Sequence, residues 1–185
     1  MKKVLVIKGS CRKDSFTNKL WQEATSDLVN IETSVFDTCS EKFNFCTGCN
    51  FCEENGKCVH RDLDKFYKMF EVADVVIFAS PVYNGSFSAQ MKALIDRFQV
   101  YYTTFYKNGK VQPIKKYRKC ILLTAAGRKG EEALMNMEKN IKCAFTILNA
   151  ELVGSVLCAY TDTVPEYEKA LEELKILLRR SLSDE

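Results

Sequence analysis

The stretch from Asp74 to Phe98 constrains the fold more than any other. Val75 to Ala79 is a short, continuous apolar run, which suits a strand buried on both faces. Ser80-Pro81-Val82-Tyr83-Asn84-Gly85 then breaks the strand. Pro81 fixes its own φ and removes a backbone donor. Asn84 and Gly85 tolerate left-handed backbone. Beyond the break, Met91, Leu94, Ile95 and Phe98 recur at i, i+3, i+4, i+7, the buried stripe of a helix. The segment reads as strand, rigid loop, helix. In an open α/β sheet such a loop lies at the carboxyl edge, where ligands bind.

Other segments repeat the alternation. Lys3 to Lys8 reads as a first buried strand. It runs into Gly9-Ser10-Cys11-Arg12-Lys13-Asp14-Ser15-Phe16-Thr17-Asn18 and a helix from about Thr17 to Val29. Ser10, Ser15 and Thr17 supply hydroxyls, Arg12 a cation, and the helix start outward-pointing N–H groups. A phosphate is held by that set. The Gly-Lys-Ser/Thr ending of a Walker A loop is missing, and so is a GxGxxG fingerprint. N-capping by Ser15 or Thr17 is the plainer reading.

Ile31 to Phe36 reads as a less buried strand, with Ile31, Thr33 and Val35 on one side and Glu32 and Ser34 on the other. Residues 37 to 61 form a long connection with little helix or strand signal, a length usually tied to function. A helix follows from about Asp62, with Leu63, Phe66, Tyr67 and Phe70 at helical spacing. Val100 to Lys110 is rich in aromatics (Tyr101, Tyr102, Phe105, Tyr106), which read as a pocket wall, a subunit contact or core packing. Lys119 to Ala125 is a buried strand ending in Thr124-Ala125-Ala126-Gly127. A helix spans about Glu131 to Leu148, and Glu151 to Ala159 is the last strand. Thr163 and Glu166 read as a capping box for a final helix over Pro165 to Leu182, with Leu171, Leu174 and Leu178 facing the sheet.

This order predicts a parallel five-stranded sheet with helices on both faces, in the flavodoxin-like order 2-1-3-4-5. The loops after strands 1, 3 and 4 then meet at the switch point. They make a setting for a planar cofactor that carries a phosphate. The length, 185 residues, fits a single α/β domain, 1–185, with a cysteine-rich insertion at about 37–61. A net charge of +3 with no basic block gives no sign of a nucleic-acid partner. The apolar run at the start is too short for a signal peptide, and no run approaches a membrane span. The expected compartment is therefore cytoplasmic.

These residues resemble the flavodoxin-like NAD(P)H-dependent FMN reductase superfamily. Gly9-Ser10-x-Arg12 with Ser15 and Thr17 resembles its FMN-phosphate loop, although Cys11 stands where proline is frequent. Ser80 to Ser86, followed by Gln90-Met91-Lys92 and Ile95-Asp96-Arg97, resembles its isoalloxazine loop and following helix. Thr124 to Gly127 is a looser match to the third flavin loop. The resemblance implies noncovalent FMN. Its phosphate would lie against Ser10, Arg12, Ser15 and Thr17 and its ring along Pro81, Val82, Tyr83, Asn84 and Gly85, with Phe16, Ala126 and Gly127 also binding the cofactor. NAD(P)H is the implied cosubstrate, and the cofactor, not a side chain, carries the chemistry.

The chain holds nine cysteines. In a reducing cytosol they are more readily explained by metal binding or catalysis than by disulfides. Cys46, Cys49, Cys52 and Cys58 cluster in the long connection. Thiolates are natural iron–sulfur ligands, and gaps of two residues let three of them wrap one face of a 4Fe-4S cube. Structural zinc more often uses two separated knuckles. The spacing differs from that of bacterial ferredoxins, but resembles the compact motif of the iron–sulfur flavoproteins. A cluster, redox-labile thiols and zinc all stay open at this point. The remaining cysteines read as small buried hydrophobes, and His60, the only histidine, as a surface residue of the loop.

The resulting expectation is an FMN-dependent oxidoreductase of iron–sulfur flavoprotein type. It would take electrons from NAD(P)H or a reduced ferredoxin and pass them to a small-molecule acceptor, as a homodimer or homotetramer. Its rivals are a noncatalytic flavin electron carrier and a cysteine-based redox or metal sensor.

Overall fold

The computed structural model describes residues 1–183. Five strands form one sheet: β1 (Lys2–Lys8), β2 (Ile31–Asp37), β3 (Val75–Pro81), β4 (Arg118–Ala125) and β5 (Ala150–Cys158). All neighbours pair in parallel, in the order β2-β1-β3-β4-β5. The helices between and after them are α1 (Phe16–Ser26), α2 (Phe51–Asn55), α3 (Asp64–Val72), α4 (Ala89–Asp96), α5 (Gln99–Lys107), α6 (Glu131–Phe145) and α7 (Tyr167–Leu182). This is the flavodoxin-like α/β fold that the alternation predicts.

Strand side chains alternate between the two faces, so each continuous apolar run feeds two cores. Leu5, Ile7, Val76, Phe78, Cys120 and Leu122 pack on one side with residues of α3, α4, α5 and α6. Val4, Val6, Val75, Ile77, Ile121 and Leu123 pack on the other side with α1 and α7. Phe66, Phe70, Phe78, Phe98 and Tyr101 form a contiguous aromatic stack within the first core. Each fully buried Phe or Leu contributes about 1.5–3 kcal/mol relative to exposure.

Several expectations are corrected by the structure. Val35 is exposed and Phe36 is the buried residue of β2, because this edge strand turns Phe36 onto Phe66, with ring centroids 4.7 Å apart. The long connection contains α2, a short exposed helix that starts at a left-handed Asn50. The aromatic segment is α5, with Tyr101 and Phe105 in the core and Tyr102 and Tyr106 exposed. No capping box forms at α7: the Thr163 hydroxyl bonds to the Tyr160 carbonyl, and the Glu166 carboxylate makes no cap bond and instead accepts from Lys169 at 3.3 Å. Leu171, Leu174 and Leu178 do face the sheet core.

The cysteines outside the cluster are not all buried hydrophobes. Cys120 and Cys158 are buried and Cys143 is exposed, but Cys11 and Cys39 form a disulfide. Parallel pairing explains the meeting. Lys8 lies opposite Asp37 in the register, and the two share a 2.6 Å ion pair. The chains leaving β1 and β2 therefore run side by side, bringing the Cys11 and Cys39 Cα atoms to 5.3 Å.

Candidate functional site

The carboxyl edge of the sheet is tied together by backbone and hydroxyl bonds. As β1 ends, the Gly9 amide donates to the Ala79 carbonyl at 2.7 Å. Ser80, wholly buried, accepts from the Ser88 amide at 3.1 Å. Ser15 caps α1 by accepting from the Asn18 amide at 3.2 Å. The Asn18 side chain in turn donates to the carbonyls of Arg12, at 2.9 Å, and Lys13, at 3.4 Å. Ser10 and Thr17 are buried, while Arg12 reaches solvent. The disulfide at Cys11 joins this loop to the segment after β2. Sequence reading offered capping or anion binding for Ser15. In the structure its hydroxyl caps α1 and also lies 3.3 Å from the Thr17 hydroxyl.

After β3, Asn84 (φ 49°) and Gly85 (φ 74°) make a tight turn between Tyr83 and Ser86, which exchange bonds of 2.9 and 3.0 Å. Two successive left-handed residues are what a type I′ hairpin requires, and Asn-Gly supplies them at little steric cost. The Val82 amide donates to the Ala125 carbonyl at 2.9 Å, linking this loop to the end of β4. Beyond β4, the Ala126 amide bonds the Cys158 carbonyl, and the Asp162 amide bonds the Gly127 carbonyl. A Cβ at position 127 would lie 2.3 Å from the Asp162 carboxylate, so only glycine fits there without a shift.

These segments enclose a cavity of about 340 Å3. Ser10, Arg12, Ser15, Phe16, Thr17, Pro81, Val82, Tyr83 and Gly127 line it. Asn84, Gly85 and Ala126 do not: the first two form the exposed hairpin tip, and Ala126 is buried beneath the loop. Asp14, Ala125, Thr161 and Asp162 also line the cavity and were missed by sequence reading. The signal for the last two was the placement of β5 beside β4, which brings the chain after Cys158 to the same edge.

A second, smaller cavity of about 30 Å3 is lined by Cys46, Cys49, Cys52 and Cys58 together. All four thiols are free. Among the described residues, no three His, Cys, Asp or Glu side chains converge on a point that could hold a metal ion. His60 lines the same cavity and is half-buried rather than on the open surface. So does Arg97, whose guanidinium donates to the Asn44 carbonyl at 2.5 Å, the His60 carbonyl at 3.0 Å and Asp62 at 2.7 Å. Burial pushes the Asp62 carboxyl up, but hydrogen bonds from Arg97 and Asn44 outweigh it and hold the pKa down at about 2. Burial likewise raises the Tyr67 phenol to about 12, and its hydroxyl donates to the Arg97 carbonyl at 3.1 Å. Cys58 also lines a further cavity of about 390 Å3, between the cysteine loop, α3 and α5.

Among the described residues no helix is long and apolar enough to cross a membrane. The chain is 39% identical over 112 residues to an iron–sulfur flavoprotein of Methanocaldococcus jannaschii, covering 59% of this chain and 58% of that protein. It is 37% identical over 144 residues to an iron–sulfur flavoprotein of Archaeoglobus fulgidus, covering 76% of this chain and 62% of that protein. The chain thus spans about six-tenths of the length of these relatives. In fold it is similar to an NAD(P)H:quinone oxidoreductase from Methanothermobacter marburgensis, with a TM-score of 0.73 at 16% identity, covering 99% of this chain and 97% of that one. The family model for NADPH-dependent FMN reductase matches residues 2–158, and the chain belongs to that family.

Proposed function

We propose that the chain is an FMN-dependent oxidoreductase of iron–sulfur flavoprotein type, moving electrons between NAD(P)H or a reduced ferredoxin and a small acceptor such as a quinone. One observation carries this reading: the loops after β1, β3 and β4 share a single cavity at the carboxyl edge of the sheet. The residues fit the cofactor. The hydroxyls of Ser10, Ser15 and Thr17, the Arg12 cation and the start of α1 would hold its phosphate. Pro81 and Tyr83 of the hairpin and Gly127 beyond β4 would flank its ring, with Phe16 and Val82 excluding water. Asp14 and Asp162 accept hydrogen bonds and repel a phosphate, so they suit the hydroxyls of the ribityl chain. Bound FMN supplies hydride or single-electron transfer. This chain then needs no acid, base or nucleophile of its own; its side chains bind and orient.

The donor set around the cysteine cavity suits an iron–sulfur group in its chemistry, since thiolates are such a cluster's usual ligands. Cys46, Cys49, Cys52 and Cys58 would each supply one thiolate to a 4Fe-4S cluster, which when present passes single electrons. Four free thiols share one small cavity with a buried cation, and both relatives named above are iron–sulfur flavoproteins. For assembly as a homodimer or homotetramer, the exposed Tyr102–Tyr106 pair, with ring centroids 4.6 Å apart, supplies a contact surface.

The test is anaerobic purification, then a visible spectrum, flavin release on denaturation, iron and sulfide analysis, and NADH or NADPH oxidation with a free acceptor. Released FMN, bound iron and sulfide, and turnover are the expected results. Flavin without turnover would make the chain an electron carrier. Protein that neither releases nor takes up FMN would overturn the proposal.

A further inference from the structure

Arg97 and Arg118 are the largest fully buried side chains among the described residues, and the Arg97 side chain is only 1% exposed. It follows α4 and precedes α5 in the chain. Both terminal nitrogens are engaged. Nη1 donates to Asn44, just before Cys46, and Nη2 to His60 and Asp62, just after Cys58. These bonds already brace both ends of the cysteine loop. The third nitrogen, Nε, is buried and has no hydrogen-bond partner among the described residues. Yet Arg97 lines the cavity of the four thiols.

A desolvated donor with nothing to donate to is unfavourable, and more so on a cation. A brace made by Nη1 and Nη2 alone does not need it. The thiols beside it supply the missing partner once they are ionised and hold iron and sulfide, because thiolate and sulfide sulfurs accept hydrogen bonds. Four thiolates also outweigh the charge of an iron–sulfur core, leaving an anion that a buried guanidinium offsets. Hydrogen bonds to the sulfurs and local charge are what set a cluster's reduction potential.

We propose that Arg97 is a positioning residue for the cluster: it braces the cysteine loop through its Nη atoms and donates Nε–H to a cluster sulfur, holding the reduction potential up. This rests on the iron–sulfur reading of the cysteine cavity given above. Both the hydrogen bond and the positive charge favour the reduced, more negative state.

The test uses the full chain, reconstituted anaerobically with ferrous iron and sulfide and reduced by one electron with dithionite. In the parent protein labelled with guanidino-15N arginine, pulsed EPR of the reduced cluster should show a 15N coupling, since Arg97 is the arginine lining this cavity. In Arg97→Gln the loaded cluster should be at least tenfold harder to reduce, a shift of about 59 mV downward for a one-electron couple. Arg97→Lys, which keeps the charge and loses Nε, should fall between the two. A merely structural role would lower stability and iron occupancy while the remaining clusters kept the parent potential, and that result would overturn the proposal. If Arg97→Gln does not fold, the 15N coupling in the parent decides, and its absence refutes the hydrogen bond. A parent that takes up no iron and sulfide brings down the cysteine reading and this proposal together. A loaded parent without the coupling brings down this one alone.

Discussion

The Ser88 hydroxyl donates a 2.7 Å hydrogen bond to the Gly9 carbonyl, and both residues are buried. Positions far apart in the chain are thereby joined where β1 gives way to the Ser10–Thr17 loop. The same hydroxyl accepts from the Met91 amide at 3.3 Å and so caps α4. Ser88→Ala removes the cap and leaves the Gly9 carbonyl without this donor. The expected loss is about 1–3 kcal/mol of folding stability. It should appear as a lower urea midpoint with an unchanged slope, and an unchanged midpoint would count against the bridge.

Arg12 is exposed at the mouth of the cavity at the carboxyl edge of the sheet and lends it a positive charge. Arg12→Ala should weaken FMN binding by about 1.5–3 kcal/mol if the guanidinium makes a charged hydrogen bond to phosphate. That corresponds to a rise in Kd of roughly tenfold or more. Titration of apoprotein followed by quenching of flavin fluorescence measures it. The parent's affinity should also fall with salt more steeply than the variant's. Equal affinities would remove Arg12 from the phosphate site.

Asp62 makes stability depend on acidity. Its folded pKa of about 2 lies below the ~3.9 of an unfolded aspartate. A depressed carboxyl adds stability that is present above about pH 4 and is lost as the pH falls through the folded value. Asp62→Asn should therefore be less stable than the parent at neutral pH, with the gap closing between about pH 4 and 2. Urea midpoints across that range test the sign. A gap that stays constant with pH would mean that the Arg97–Asp62 ion pair is not its source.

The Cys11–Cys39 disulfide spans 28 positions of chain. Closing a loop of that size restricts the unfolded chain by about 3–4 kcal/mol on the chain-entropy model. Cys39→Ser should lose about that much against the oxidised parent, and match the parent held in dithiothreitol. Unfolding curves with and without reductant make the comparison. If the oxidised parent and the variant unfold together, the bond adds nothing.

The strands and their order could be read from sequence because a buried parallel strand leaves an unbroken apolar run, as in Val75 to Ala79. The first and second site loops could be read for a related reason: hydroxyls, Arg12, Pro81 and Asn84-Gly85 have marked backbone or charge preferences. What escaped depends on tertiary placement. Thr161 and Asp162 reach the cavity only because β5 pairs with β4. Cys11 and Cys39 meet only because Lys8 and Asp37 are in register. α2 is too short and too exposed to show a helical stripe. Arg97 ends an amphipathic helix, where an arginine normally reaches solvent. The one hint was its place among Leu94, Ile95 and Phe98, on the side that packs inward. The box expected from Thr163 and Glu166 failed because the Thr163 hydroxyl turns back to Tyr160 before the helix begins.

The Arg97 clamp has a consequence for biogenesis. In a zinc finger the metal gathers the ligands, and the apo chain is unfolded. Here a guanidinium pins the polypeptide on either side of the thiols without enlisting any sulfur. On the iron–sulfur reading proposed above, the scaffold would be complete before iron is delivered, and loading the cluster would be a late step on a finished molecule. Scarcity of the metal would then yield intact protein that lacks one redox centre, rather than a degraded chain.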